Sequence, residues 1–97
     1  MLDAHDLISD ELLNDYSLGA LDYLIAHGRE LEFQFQGENF FLSKHVSSKY
    51  VSLFHNEIEQ AFDSMDEFFE KAKLLEQPFL EVWKECNEFI LYWGNNE

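Results

Sequence analysis

The sequence predicts an α+β fold: an N-terminal helix with a kink, a three-stranded antiparallel sheet, and two C-terminal helices. Three observations carry this prediction. Apolar and polar residues alternate over residues 31–36, which is the period of a half-buried strand. Ser64 followed by Glu67 is a capping-box pattern that opens a helix. After Pro78, apolar residues recur at steps of three or four, which is typical of an amphipathic helix.

The N-terminal segment, residues 3–27, is predicted to be helical, with Asp3 as its N-cap. Asn, Ser and Gly between positions 14 and 19 predict a break, after which Ser17 caps a second short helix. Gly28 follows at the position where a helix C-terminus often takes a left-handed residue. A chain of 97 residues is expected to form one domain, residues 1–97.

The centre of the chain predicts a hairpin whose two-residue loop is Gln36-Gly37. This loop sets Phe33 opposite Phe40, so that strand residues of one parity share an apolar face. That face comprises Leu31, Phe33, Phe35, Phe40 and Leu42. The other face is expected to be largely solvated, and it carries Glu32, Gln34, Asn39 and Phe41. A sheet that is apolar on one side needs a cover, which the helices can supply.

Residues 44–49 predict a polar turn, and residues 50–54 predict a third antiparallel strand. Its buried face can be either that of Tyr50 and Phe54 or that of Val51 and Leu53. Residues 55–62 fit either a helix or a short edge strand, and we expect them to be mostly irregular. The capping box opens a helix that carries Phe68, Phe69, Ala72 and Leu75. The last helix is expected to bury Phe79, Val82, Trp83, Cys86, Ile90 and Trp93, and residues 94–97 to form a frayed tail.

The charge balance is the strongest compositional feature. Twenty acidic residues stand against six Lys and Arg, giving a formal net charge of −14. This exceeds the magnitude of about 2–8 that is usual for a small soluble domain. Such a chain should repel nucleic acid phosphates and anionic lipid, and attract a basic protein surface. Solvated helix faces that merely keep the protein soluble are the alternative interpretation.

No pattern for catalysis or for a cofactor is present, so the chain is not expected to be an enzyme. Cys86 lies on the predicted apolar stripe and is expected to be a buried structural thiol. The four histidines lack the spacing of a metal site, and no metal is expected. Neither a signal peptide nor a membrane span is predicted. We therefore expect a cytoplasmic protein.

Six acids follow one another without an intervening base, and they are the predicted partner-binding residues: Glu57, Glu59, Asp63, Asp66, Glu67 and Glu70. On a helix, side chains three or four positions apart are neighbours, about 5–6 Å from each other. Rows of carboxylates at such spacings can imitate the phosphates of a nucleic acid strand. The expected partner is a basic protein whose groove of Lys and Arg otherwise holds nucleic acid.

Residues 29–86 resemble small acidic α+β proteins of Firmicutes, their phages and mobile elements. The likeness lies in RELEFQFQGENFFL from Arg29, YVSLF from Tyr50, FDSMDEFFEKA from Phe62, and PFLEVWKE from Pro78. Some type II-A anti-CRISPR proteins share this size, acidity and helix–sheet–helix order. The resemblance implies a DNA mimic that inhibits a CRISPR-associated nuclease by blocking nucleic acid binding, in the host cytoplasm if the protein is phage-encoded. It also implies an Asn-Gly hairpin turn, where this chain has Gln36-Gly37.

An interaction module that works through apolar surface is the alternative function. In that interpretation the chain forms a homodimer, or binds another partner, through aromatic side chains. The residues expected to form this patch are Trp83, Trp93, Tyr92 and Phe41.

Overall fold

The computed structural model describes residues 15–44 and 50–93, with only the backbone of Trp93. The described chain begins with helix α1, Leu18–Ala26, and continues into four strands. These strands are β1 (Arg29–Phe35), β2 (Glu38–Lys44), β3 (Val51–His55) and β4 (Ile58–Phe62). The remaining elements are α2 (Met65–Lys71), β5 (Lys73–Leu74), β6 (Gln77–Pro78), α3 (Phe79–Val82), a 3-10 turn (Trp83–Glu85) and β7 (Asn87–Trp93).

Five of the strands form one antiparallel sheet in the order β4-β3-β2-β1-β7. The remaining two, β5 and β6, form a separate two-stranded hairpin. Because β7 pairs with β1, β7 is the edge strand on the side of the sheet opposite β4. The described part of the protein is therefore α+β, with a larger sheet and less helix than the sequence predicts.

The prediction of a three-stranded sheet is wrong, because residues 58–62 form a fourth consecutive strand. Strand β4 pairs with β3 along its length, from His55 opposite Ile58 to Val51 opposite Phe62. The connecting turn places Asn56 at a φ of 57°, a left-handed conformation that Asn tolerates better than most residues. The expectation of a mostly irregular segment missed this tight turn.

The prediction of two C-terminal helices is also wrong. The helix that follows Pro78 is short, passes through the 3-10 turn, and gives way to strand β7. The run from Phe89 to Trp93 is entirely apolar, so helical spacing and strand alternation both fit it. Its aromatic and branched side chains favour a strand, and β1 offers backbone groups that need partners. A bulge beside Glu88, whose φ is 55°, sets Phe89 and Leu91 against the core.

The predicted central hairpin is confirmed in register. Leu31 lies opposite Leu42, and Phe33 lies opposite Phe40. Gln36 and Gly37 both have positive φ, 52° and 80°, as the favoured two-residue turn requires. All five side chains of the predicted apolar face are buried: Leu31, Phe33, Phe35, Phe40 and Leu42.

Both helix caps predicted within the described residues are present. The Ser17 hydroxyl accepts from the backbone N–H of Ala20, and Gly28 ends α1 with a φ of 88°. At α2, the Ser64 hydroxyl accepts from the N–H of Glu67 at 3.1 Å. Glu67 in turn accepts at 2.7 Å from the N–H of Asp63, the residue before the cap, so its side chain reaches back past Ser64 in a variant of the capping box.

The core lies between the helices and one face of the five-stranded sheet, here called the packed face. Leu21, Leu24 and Ile25 of α1 are fully buried with the strand residues. An aromatic group joins α2 and α3 to the core through rings 4.7–5.9 Å apart; it includes Phe33, Phe62, Phe68, Phe79 and Trp83. The opposite side, here called the open face, is not covered by the described helices.

Four predictions fall outside the described residues: the Asp3 cap with the helix before residue 15, the turn at 45–49, the Trp93 side chain, and the tail at 94–97. Within residues 15–44 and 50–93, no helix has the length and apolar character needed to cross a membrane.

Candidate protein-binding surface

The open face of the sheet presents aromatic rings between carboxylates. Strand register aligns five residues in one row across the sheet: Ile90, Glu32, Phe41, Phe54 and Glu59. The Phe41 ring lies 6.5 Å from that of Phe54 and 6.2 Å from that of Tyr92. Phe54, Ile90 and Tyr92 remain 36%, 48% and 40% exposed, so this is apolar surface that a partner can reach.

Two carboxylates of this face are held by hydroxyl groups. The Tyr92 hydroxyl donates to Glu32 Oε1 at 2.9 Å, and the Ser52 hydroxyl donates to Glu59 Oε2. The bond to Glu32 raises the pKa of Tyr92, with smaller contributions from desolvation and the charge of Glu32. These contacts orient the carboxylates beside the rings, whereas a freely rotating surface glutamate would sample many rotamers.

A shallow pocket of about 220 Å³ opens on this face, near the β1–β2 and β3–β4 turns. Its lining comprises Glu32, Asn39, Phe40, Phe41, Phe54 and Asn56. The pocket thus combines one carboxylate and two amides with aromatic carbon. Its floor follows from strand alternation, which turns Phe41 and Phe54 to the side opposite the core.

The six predicted partner-binding acids are divided between the two sides of the sheet. Glu57 is exposed in the β3–β4 turn, and Glu59 extends from edge strand β4 onto the open face. Helix α2, which carries three of the acids, packs Met65 and Phe68 into the core on the packed-face side. The structure therefore brings four acids together at α2 and separates Glu59 from them.

The four acids at α2 are Asp63, Asp66, Glu67 and Glu70, and three of them are exposed. Glu67 is the exception, since its carboxylate accepts from the N–H of Asp63 and lies 3.4 Å from the ammonium of Lys71. The hydrogen bond from the Asp63 N–H is the main cause that lowers the pKa of Glu67, and Lys71 adds to it. Glu67 thus has a structural role, and Asp66 and Glu70 are better placed to meet a partner.

The prediction that Trp83 belongs to an exposed aromatic patch is wrong. Trp83 is only 2% exposed, and its indole N–H donates to the backbone oxygen of Tyr16 at 3.1 Å. Tyr92 and Phe41, by contrast, do lie together on the open face. Cys86 is buried as predicted, and desolvation, with the nearby charge of Glu85, raises its pKa to about 12. Such a thiol is not a nucleophile at neutral pH.

The sequence did not predict that the residues lining the pocket form a site. The hairpin register had already placed Glu32, Asn39 and Phe41 together on the solvated face. Phe54 could not be added because the buried face of the predicted strand at residues 50–54 was left open, and Asn56 could not be added because the turn there was not recognised. The usable signal was the alternation through Ile58, Gln60 and Phe62, preceded by an Asn at a turn position.

No protein-family model, curated protein or solved structure matches this chain. Within the described residues, no group of three or more His, Cys, Asp and Glu side chains is arranged to hold a metal ion.

Proposed function

We propose that this protein is a non-enzymatic binding protein whose carboxylates occupy a basic surface of a nucleic-acid-handling protein. The observation that carries the proposal is the formal net charge of −14, expressed at exposed acids on the open face and on α2. A field of this sign speeds the encounter with a cationic partner and repels nucleic acid itself.

The type of partner follows from the resemblance to type II-A anti-CRISPR proteins. The resemblance implies a phage or mobile-element inhibitor that occupies the Lys- and Arg-lined groove of a CRISPR nuclease. Asp66 and Glu70 support such a role, because they are exposed at a spacing of four residues on α2. Carboxylates there would meet cationic side chains that otherwise contact phosphates.

A displacement assay tests this proposal. Labelled target DNA is bound to a guide-loaded type II-A nuclease, and the protein is titrated against it. The expected result is displacement, and the double variant Asp66→Asn, Glu70→Gln should need about tenfold more protein, since two charge contacts are lost. Glu67 is left unchanged because its substitution would also disturb the helix cap.

The matched control is Glu81→Gln with Glu85→Gln, which removes the same charge from exposed positions on α3 and the 3-10 turn. A smaller loss in the control than in the α2 variant supports a localised contact. Failure of the unaltered protein to displace DNA at low salt would contradict inhibition of this nuclease.

The alternative, a homodimer through the open face, is less favourable electrostatically. A two-fold interface sets the same patch against itself. Glu30, Glu32 and Glu59 all belong to that face by strand register, so like charges would meet across the interface. Sedimentation at increasing concentration distinguishes the two functions, since the binding-protein proposal expects a monomer.

A further inference from the structure

We infer that the open-face pocket is a binding site for an arginine side chain presented by the basic partner. This inference rests on the proposed function, because it names the group that the acidic protein would recognise. The occupant is specified by the chemistry of the lining, which pairs a fixed carboxylate with two amides and with aromatic rings, among them those of Phe41 and Phe54.

Glu32 supplies the negative charge of the pocket. Glu32 lies in the lining of the pocket, and its Oε1 already accepts from the Tyr92 hydroxyl at 2.9 Å. An ionised carboxylate has about four acceptor sites, so the remaining ones can take N–H donors from a guanidinium. Glu32 is half-buried on β1, an inner strand of the sheet, so the position of its carboxylate determines where a bound positive charge must lie.

The aromatic rings of the pocket favour arginine over lysine as the bound side chain. Phe41 and Phe54 are 6.5 Å apart and inclined at 43°, leaving aromatic surface beside the carboxylate. A planar, weakly hydrated guanidinium stacks on such surface while it forms hydrogen bonds in its plane. A lysine ammonium is compact and strongly hydrated, so it gains less from the same site. Asn39 and Asn56 supply amide oxygens for guanidinium N–H groups that do not reach Glu32.

Charge excludes other occupants of this face. A phosphate or a nucleic acid strand would meet the carboxylates of Glu32 and Glu59 directly. A second copy of the chain would bring the same carboxylates against each other. An arginine-bearing segment lying along the open face satisfies both acids and covers Phe54 and Tyr92.

The test is a titration of the 97-residue protein with hexa-arginine and with hexa-lysine, monitored through its amide chemical shifts. Hexa-arginine should bind about fivefold tighter, and its shifts should be largest at Glu32, Phe41, Phe54 and Asn56. Glu32→Gln retains an oxygen for the Tyr92 hydroxyl but loses the charge, and it should weaken hexa-arginine about fivefold. Phe54→Thr keeps a strand-favouring residue and should abolish the preference for arginine.

The controls are Glu81→Gln and Leu80→Ala, which remove one charge and one exposed apolar side chain from α3. Each should change hexa-arginine affinity less than twofold. The arginine site is contradicted if the two peptides bind with equal affinity and Glu32→Gln weakens hexa-arginine binding no more than Glu81→Gln does. That result would not contradict the proposed basic partner. Absence of binding by either peptide at low salt overturns both.

Discussion

At the scale of single residues, Glu67 shows how one acidic side chain can serve the fold. Its carboxylate accepts from the N–H of Asp63 and lies beside Lys71, while its own N–H donates to the Ser64 hydroxyl. The charged form is favoured by these contacts, which is why its pKa lies below the ordinary value of 4.5. An unbroken run of acids therefore does not mean that every member is free for a partner.

Glu67→Gln is expected to lower stability at neutral pH and to matter progressively less in acid. A group with a lowered folded-state pKa stabilises the fold above its unfolded-state pKa, and this contribution is lost as pH falls through the folded value. Urea unfolding at about pH 7 and about pH 3 measures the difference between the two proteins. Glu70→Gln, which removes a charge from the same helix outside the capping box, is the control. A Glu67→Gln deficit that is unchanged at the lower pH would contradict this role.

At the scale of secondary-structure elements, two-residue turns in which both residues have positive φ close two of the hairpins. Gln36-Gly37 joins β1 to β2, and Leu75-Glu76 joins β5 to β6 with φ values of 50° and 69°. Left-handed conformations cost roughly 1–2 kcal/mol for an L-residue other than Gly. Leu75 is held there by packing against the core, whereas Glu76 is exposed.

Glu76→Gly should therefore raise the free energy of unfolding by about 0.5–1 kcal/mol, because relief of the left-handed strain exceeds the added unfolded-state entropy. The contrasting control is Glu81→Gly, in helix α3, which should lower stability by about 0.5–1 kcal/mol. Urea denaturation of both variants measures these changes. A loss of stability on Glu76→Gly would show that the turn is not strained at this residue.

The sequence was informative where one signal dominated. Alternation and the Gly37 turn predicted the β1–β2 hairpin in register, and the Ser17 and Ser64 caps predicted two helix starts. Strand β7 was missed because the fully apolar run Phe89–Trp93 has no polar positions to reveal its period. The strand conformation of this run is determined by its pairing with β1, about 60 residues away along the chain. A local sequence pattern does not reveal such a long-range contact.

Only part of the candidate surface was predictable, because the rest depends on strand pairing between distant parts of the chain. Glu32, Asn39 and Phe41 share a face by hairpin register alone, but Phe54, Asn56 and Tyr92 join them only through β3, β4 and β7. The acids at α2 follow directly from the capping box, and their separation from Glu59 depends on which side of the sheet α2 covers.

At the scale of the whole molecule, charge is the property that connects the fold to a function. Acids outnumber bases by twenty to six, and they emerge from both the open face and α2. A partner that engages either surface replaces small counterions with its own cationic groups. Binding should consequently be fast at low ionic strength and should weaken as salt screens the charges.

The most direct test is the affinity of the unaltered protein for a guide-loaded type II-A nuclease, measured by a binding titration from about 50 mM to about 500 mM salt. Carboxylates that substitute for phosphates predict a dissociation constant that rises at least about tenfold over this range. An affinity that stays constant across the range, or no binding even at the lowest salt, would contradict the account.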